Sequence, residues 1–326
     1  MVRLLDRRRS PDQSAAASPD QQQSLLPGDL MIALQQLRIA VPRVQRGSFA
    51  GEHRSRRRGA SPEFADFKRY SPGDDIRRVD WNLYARLDTL FVRESEATTD
   101  LTVHIVLDSS PSMDFASESG LPTKSWYAKQ MAAVIGYVTL WHFDRMRVAP
   151  FTTAMGQPLG PLTGRARITP MLDYFARPDT GESTSVAQIL HRFGHQVTVP
   201  GLLIVLSDLL SDDPEPLGEQ VRTLLSRGWE VLIIQVLDPA EVAPERLVTH
   251  TSRNQPITLT DSEHGDQVLL VLNEETCETY RAAYEPWQAE MEAAIKRAGI
   301  NLITLATDQP LGTTALHLLH RVGILA

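Results

Sequence analysis

The stretch LTVHIVLDSSPS, residues 101–112, decides the fold. Its first seven residues form a mostly apolar run, which is typical of a β-strand buried on both faces of a sheet. The run stops at Asp108, and the residues that follow put one carboxylate and several hydroxyls on a single loop. The pattern therefore predicts a buried sheet strand with a polar loop at its carboxyl end.

Strands and helices alternate through the rest of the chain. Further strands are expected at residues 145–151, 201–208, 229–237 and 300–307, and helices at 124–143, 166–177, 184–194, 215–227, 274–298 and 311–321. Residues 155–158 are expected to pair with the strand at 145–151, and residues 243–272 hold two strand-like runs around His264-Gly265-Asp266, a hairpin pattern. The alternation predicts an α/β fold with a doubly wound, mostly parallel sheet.

Three separate loops carry oxygen-bearing side chains to the same predicted edge of this sheet. Asp108, Ser110 and Ser112 follow the first strand, Asp208 follows strand 201–207, and Thr184 opens a helix. Ligands of such sheets bind beyond the carboxyl ends of the strands, and carboxylate and hydroxyl oxygens suit Mg²⁺. The alternative is that these residues only turn the chain and cap helices.

The first hundred residues have a different composition. Residues 1–24 are polar and predict a disordered tail, and residues 25–98 form an N-terminal segment with a helix ending before Pro42, a turn at residues 72–75 and a short strand at 90–92. Residues 60–98 hold many aromatic and leucine side chains, so we expect this part to pack on the sheet domain.

Two motifs carry a resemblance to known families. The run D-x-S-x-S after the first strand, with the later Thr184 and Asp208, resembles the metal-ion-dependent adhesion site of von Willebrand factor A domains. Residues 64–96, FADFKRYSPGDDIRRVDWNLYARLDTLFVRESE, resemble the bacterial family catalogued as domain of unknown function 58, most distinctively in Y-x-P-G-D-D-x-R-x-x-D-W. The resemblance covers about residues 25–326 and points to the short soluble type of the family.

The resemblance implies a von Willebrand factor A-like, Rossmann-like domain over residues 99–326, with 243–272 as an insertion. It implies a protein-interaction module, not an enzyme, that holds Mg²⁺ (or Mn²⁺ or Ca²⁺) through residues Asp108, Ser110, Ser112, Thr184 and Asp208. An open position on the metal would take a carboxylate from a partner protein. The Thr184 loop reads Glu-Ser-Thr where the family has Gly-Gly-Thr, so the ligand is either Ser183 or Thr184. The implied partner is a MoxR-type AAA+ ATPase or its client, with an adaptor or chaperone-like role.

Charged residues of the N-terminal segment allow several interpretations. The basic run Arg54, Arg56, Arg57 and Arg58 is either a contact surface for a protein partner, a solvated face or, less favoured, a nucleic-acid contact. A second group is expected to form a structural ion-pair network, and its members are Asp74, Asp75, Arg77, Arg78, Asp80 and Arg86.

A hydrolase is the main rival interpretation, with Asp108 as nucleophile of a phosphatase. Such an enzyme requires a second Asp two residues later as its general acid, where this chain has Ser110. It also requires a lysine near the phosphate. None of the four lysines, Lys68, Lys124, Lys129 and Lys296, is next to a predicted strand end. The chain also lacks the G-x-x-x-x-G-K-[ST] loop of ATP hydrolysis.

Composition excludes several other classes. The single cysteine, Cys277, excludes a disulfide framework and a multi-cysteine metal site. The net charge of -7 combines a mildly basic front with an acidic rear, which argues against bulk affinity for nucleic acid. No apolar run is long enough to cross a membrane and no secretory leader is apparent, so a cytoplasmic protein is expected.

Overall fold

The structure, a computed structural model, divides into two compact units. It describes residues 24–37, 64–71, 76, 79–95, 101–118, 120–151, 158–178, 181, 185–249, 256–260, 267–271, 273–314 and 317. Residues Met1–Val44 and Leu101–Ala326 make up one unit, here the sheet unit, and Gln45–Asp100 make up the other, here the small unit. In the described ranges no helix has the length and apolar character needed to cross a bilayer.

Nine α-helices and ten β-strands are found among the described residues. In chain order they are α1 Gly28–Leu34, β1 Phe64–Arg69, α2 Trp81–Leu87, β2 Phe91–Ser95, β3 Thr102–Asp108, α3 Lys124–Trp141, β4 Arg145–Phe151, β5 Leu159–Thr163, α4 Ile168–Phe175, α5 Val186–Gln196, β6 Leu202–Ser207, α6 Pro214–Ser226, β7 Glu230–Leu237, α7 Pro239–Val242, α8 Glu245–Thr249, β8 Pro256–Thr260, β9 Gln267–Val271, α9 Glu274–Ala298 and β10 Leu302–Ala306.

A six-stranded sheet forms the centre of the sheet unit. Its strand order is β10-β7-β6-β3-β4-β5, and only β5 runs antiparallel to its neighbour. From β3 the chain goes to β4 on one side and later to β6 on the other, so the direction of winding reverses between β3 and β6. The carboxyl end of that pair is therefore the topological switch point, where open α/β sheets place their ligands.

Helices cover both faces of this sheet, as a doubly wound fold requires. Val103, Ile105 and Leu107 of β3 pack in the cluster that contains α1, α3 and α4 side chains. Val106 of the same strand packs in the other cluster, with α5, α6 and α9. Gly201 lets β6 enter close beside β3, because a Cβ there would clash with the carbonyl oxygen of Thr102. The predicted fold class, an α/β protein with a doubly wound, mostly parallel sheet, is confirmed.

The described residues of the small unit form a two-stranded sheet and one short helix. Strands β1 and β2 pair antiparallel. Helix α2 begins after Asp80, whose side chain accepts hydrogen bonds from the backbone N–H groups of Asn82 and Leu83. The large side chains Trp81 and Leu87 of this helix are exposed. The packing of residues 60–98 on the sheet domain stays a prediction.

Most predicted elements match the structure within a few residues, and the helices α2, α7 and α8 were not predicted. The strand that pairs with β4 is β5, which begins at Leu159 and not in the predicted 155–158. Strand β1 was not predicted, because the alternation in FADFKR is short and interrupted by charges. Helix α1 ends at Leu34, earlier than expected, and the helix predicted over 311–321 lies only partly within the described residues. The antiparallel pair β8–β9 confirms the hairpin predicted in residues 243–272.

Candidate functional site

The loop after β3 is held in shape by Asp108 itself. The Asp108 Oδ1 accepts a hydrogen bond from the backbone N–H of Ser110 at 2.9 Å, a side-chain-to-backbone turn that Asp forms readily. A 3₁₀ turn over Pro111–Asp114 follows and includes Ser112. This local geometry folds the three polar residues of the D-x-S-x-S run back over the end of the strand.

The end of β6 meets this loop from the neighbouring strand. The Ser207 hydroxyl donates to Asp108 Oδ2 at 2.5 Å and accepts from the backbone N–H of Leu209 at 3.1 Å. Leu209 is fully buried in the left-handed region, at a φ of 60°, a conformation that costs a residue with a Cβ about 1–2 kcal/mol. Asp208 precedes it and accepts from the backbone N–H of Leu210 at 3.1 Å.

Two serine hydroxyls connect the carboxylates of the two strands. The Oγ of Ser110 lies 3.0 Å from the Oγ of Ser112. The Ser110 hydroxyl favours the ionised form of Asp108 and so acts to lower its pKa, and the Ser112 hydroxyl does the same for Asp208. These four residues, here the sheet-edge site, are each at most 6% exposed. The structure thus brings four of the five predicted ligands together at the switch point.

The pKa values of the two carboxyl groups of the sheet-edge site are shifted in opposite directions. Burial and the nearby charge of Asp208 raise the pKa of Asp108 to about 7, although hydrogen bonds from Ser207 and Ser110 oppose the rise. Burial also acts on Asp208, but the charge of Lys124 outweighs it and lowers the pKa of that carboxyl. Among the described residues, a positive charge therefore acts on Asp208, whereas the raised pKa of Asp108 is opposed only by hydrogen bonds.

Lys124 lies beside the sheet-edge site, and the sequence analysis did not predict it there. Its ammonium group lies 2.7 Å from Asp208 Oδ2 and 2.6 Å from Glu241 Oε1, and its side chain is fully buried. Burial disfavours the charge of Lys124, but the two carboxylates outweigh burial and raise the pKa of the amine. The expectation that no lysine lies at the strand ends is wrong: Lys124 reaches the sheet edge from the first turn of α3.

Glu241 and Asp238 extend the ionic side of the site to the end of β7. They form a capping box at α7, in which the Asp238 N–H donates to Glu241 Oε2 at 2.8 Å and the Ala240 N–H donates to Asp238 Oδ1 at 2.8 Å. The Asp238 Oδ2 also accepts from the Ser117 N–H at 2.9 Å, in the chain after the D-x-S-x-S loop. The spacing D-P-A-E directly after a buried strand was the available clue to this pair.

Asp212 connects the loop after β6 to the start of α5. Its carboxylate accepts from the Ser185 hydroxyl at 2.7 Å and from the N–H groups of Val186 and Ala187 at 2.9 and 3.0 Å. Ser185 comes directly after Thr184 in the chain. Thr184 and Ser183 lie outside the described residues, so the choice between them as ligand stays a prediction.

The charged residues proposed in the N-terminal segment are mostly outside the described residues as well. This holds for the basic run Arg54, Arg56, Arg57 and Arg58, and in the ion-pair group for Asp74, Asp75, Arg77 and Arg78. The two described members of that group, Asp80 and Arg86, lie at the N-cap and in the last turn of α2. Both interpretations stay predictions.

Acidic, histidine and cysteine side chains alone do not form a metal centre among the described residues. In the described part of the chain no group of three or more of these side chains has an arrangement that could hold a metal ion. The sheet-edge site is of another kind, since two of its four members contribute hydroxyls.

Comparison with known proteins places the chain in a family. A family model described as protein of unknown function DUF58 matches residues 66–293, which is more than half of the chain. The chain belongs to the DUF58 family. Its match includes both the distinctive motif of the small unit and the whole sheet-edge site.

The chain is also similar to curated proteins and to solved structures. The uncharacterized proteins Rv1480 of Mycobacterium tuberculosis and Mb1516 of Mycobacterium bovis are each 26% identical over 294 residues, covering 88% of this chain and 89% of the relative. The crystal structure of manganese-loaded Plasmodium vivax TRAP protein is 15% identical, with a TM-score of 0.31, and covers 42% of this chain and 57% of that chain. The pilus adhesin SpaC from Lactobacillus rhamnosus GG is 9% identical, with a TM-score of 0.38, and covers 70% and 31%.

Proposed function

We propose that this DUF58 protein is a non-enzymatic protein-interaction module of the von Willebrand factor A type. In this proposal the sheet-edge site holds a divalent cation, and a carboxylate of a partner protein binds at the open position of that cation. One observation carries the proposal: carboxylates of adjacent parallel strands, Asp108 and Asp208, meet at the topological switch point with two hydroxyls joining them.

The donor set fits a hard divalent cation. Asp108, Ser110, Ser112 and Asp208 offer only oxygen atoms, which Mg²⁺ and Mn²⁺ prefer over nitrogen and sulfur. The raised pKa of Asp108 supports the same fit, because it reflects a buried negative charge that a cation would compensate. Ser183 or Thr184 would add a further hydroxyl from the third loop.

The residues of the site explain why an anionic partner group would be preferred. A bound divalent cation supplies a positive charge that attracts a carboxylate oxygen. The charges of Asp108 and Asp208 only balance that cation, and the serine hydroxyls add none, so the open position still favours an anion over water. A partner is thus expected to present Asp or Glu to the sheet edge.

A MoxR-type AAA+ ATPase, or a client of one, is the proposed partner. The support is the resemblance described for residues 64–96 and the D-x-S-x-S loop, together with membership of the DUF58 family. In this role the chain acts as an adaptor or in chaperone-like assembly.

The alternative functions have less support. A phosphatase that uses Asp108 gains Lys124 as a nearby cation, but the lysine is fully buried between two carboxylates and Ser110 stands where a general acid is needed. Nucleic-acid binding through residues 54–58 lacks the interleaved aromatic residues of single-strand binders.

The test combines metal binding with partner capture. Full-length wild type and Asp108→Ala are titrated with Mn²⁺ by calorimetry, and each is then used to capture a purified MoxR-type ATPase and its client in Mg²⁺ or in EDTA. We expect saturable Mn²⁺ binding and capture only for wild type and only with metal, because Asp108→Ala removes the carboxylate at the end of β3; circular dichroism checks that the variant is folded.

Glu215→Ala is the matched control, since Glu215 is an exposed acidic residue of α6 whose ion pairs are with Arg222 and Arg297. It should behave as wild type. Capture that persists in EDTA and in Asp108→Ala would contradict the metal-dependent proposal and move the interface elsewhere, first to the basic run at residues 54–58.

A further inference from the structure

Lys124 occupies a position that is electrostatically unfavourable for a lysine by itself. It is the first residue of α3, an 18-residue helix, where the partial positive charge of the helix N-terminus repels a cation. Its side chain is also completely removed from water, which disfavours the charged amine. Only bound carboxylates offset these two costs, so the position depends on the anions around it.

The contacts fix the ammonium group firmly between two carboxylates. Asp208 and Glu241 accept from it at 2.7 and 2.6 Å, and their side chains are 2% and 1% exposed. The second oxygen of Glu241 is held by the Asp238 N–H, and the Tyr280 hydroxyl donates to the Glu241 carbonyl at 2.8 Å. Glu241 is thus anchored from β7 and from α9, and it keeps Lys124 beside Asp208.

The formal charges of this group leave room for one divalent cation. In their ionised forms Asp108, Asp208 and Glu241 contribute three negative charges and Lys124 one positive charge, which leaves two negative charges. Lys124 compensates the Asp208 side only, since its contacts are with Asp208 and Glu241. A divalent cation would therefore bind on the Asp108 side, close to the positive charge of Lys124, which repels it.

We propose that Lys124 is a resident counter-cation of the sheet-edge site, which keeps Asp208 in place without metal and weakens the binding of a divalent cation. The inference rests on the proposed function, because it assumes that the site takes such a cation. Its consequence is that metal binding is weak in the isolated protein and is completed by the partner's carboxylate, so that metal and partner bind together.

The experiment measures Mn²⁺ affinity of the full chain by calorimetry and by electron paramagnetic resonance of free Mn²⁺. Lys124→Met should bind Mn²⁺ at least about tenfold more tightly than wild type, because a unit charge a few ångströms from the cation is removed. Lys129→Met is the control: Lys129 is buried in the same helix, but its ammonium group donates to the Arg177 carbonyl at 2.7 Å. Its Mn²⁺ affinity should equal that of wild type.

A second pair of variants covers the case in which Lys124→Met does not fold. Glu241→Gln removes one charge from the group, and Lys124→Met/Glu241→Gln restores the formal charge of the wild type without the ammonium group. The double variant should bind Mn²⁺ more tightly than Glu241→Gln, with circular dichroism confirming that both are folded.

The outcomes separate the two proposals. If Lys124→Met and the double variant bind Mn²⁺ no more tightly than their parents while wild type binds it saturably, Lys124 does not oppose the metal and the inference is overturned, although the proposed function stands. If neither wild type nor any lysine variant binds Mn²⁺, the proposed function fails and the inference fails with it.

Discussion

The two carboxylates of the sheet-edge site lie on adjacent strands but have opposite surroundings. Asp208 is bound by the ammonium group of Lys124, which is anchored in turn by Glu241. Asp108 is contacted by neutral donors, the hydroxyls of Ser207 and Ser110 and the Ser110 N–H. One half of the site therefore carries its own cation, and the other half holds a buried carboxyl group whose ionised form has no cation among its described contacts.

Removing the ammonium group of Lys124 should have the largest effect on stability. In EDTA at pH 7.5, Lys124→Met should lower the free energy of unfolding by about 3–5 kcal/mol, because it leaves Asp208 and Glu241 buried without their cation. Urea unfolding followed by circular dichroism measures the change.

Lys129→Met is the matched comparison in the same helix. It removes the hydrogen bond that the Lys129 ammonium group donates to the Arg177 carbonyl and leaves the Lys124 ion pairs intact, so its cost should be smaller, on the order of 1 kcal/mol. Equal losses in the two variants would mean that the ionic half of the site contributes no more to stability than an ordinary buried lysine.

The two strand-end carboxylates were predictable from sequence, and the lysine and glutamate that accompany Asp208 were not. Asp108 and Asp208 each follow an apolar run, and parallel strands bring such residues to the same edge. Lys124 lies 84 residues from Asp208 and 117 from Glu241, and it starts a helix rather than ending a strand. No local periodicity encodes a contact of that range, so the pairing of a helix N-terminus with two distant loops needed the structure.

The same distinction applies to the fold as a whole. The long apolar strands β3, β6 and β7 and the helix α9 were predicted nearly residue by residue, because burial on both faces or a capped amphipathic repeat leaves few alternatives. The short strand β1 was missed, since charged residues interrupt its pattern.

Neutralising Asp108 tests the Asp108 half of the site. The pKa of Asp108 is raised to about 7 in the folded protein, so the folded state retains a proton that the unfolded state has released, and stability falls as pH rises from about 4 to about 7. Asp108→Asn should remove this loss. In EDTA at pH 8 the variant should be more stable than wild type by on the order of 2 kcal/mol, and near pH 4 the two should be similar.

Metal provides the control for this comparison. Mn²⁺ should raise the melting temperature of wild type at pH 8 and leave that of Asp108→Asn unchanged, because ligand binding stabilises only a protein that binds it. A variant less stable than wild type at pH 8 in EDTA would show that the Asp108 charge is already compensated in the apo protein.

Asp212 gives the smallest and most local test, because it is a buried carboxylate on the same loop as Asp208 whose described contacts are neutral donors at the start of α5. Asp212→Asn replaces one acceptor oxygen with an amide group that faces an N–H donor, so the free energy of unfolding should fall by about 1–2 kcal/mol.

Asp212 also fixes Ser185, which is one residue from Thr184, so Mn²⁺ affinity should fall severalfold if the third loop supplies a ligand. Ser185→Ala, which removes a single hydrogen bond of the same group, should show a smaller loss in both measurements. A loss of stability with unchanged Mn²⁺ affinity would confine the metal ligands to the loops after β3 and β6.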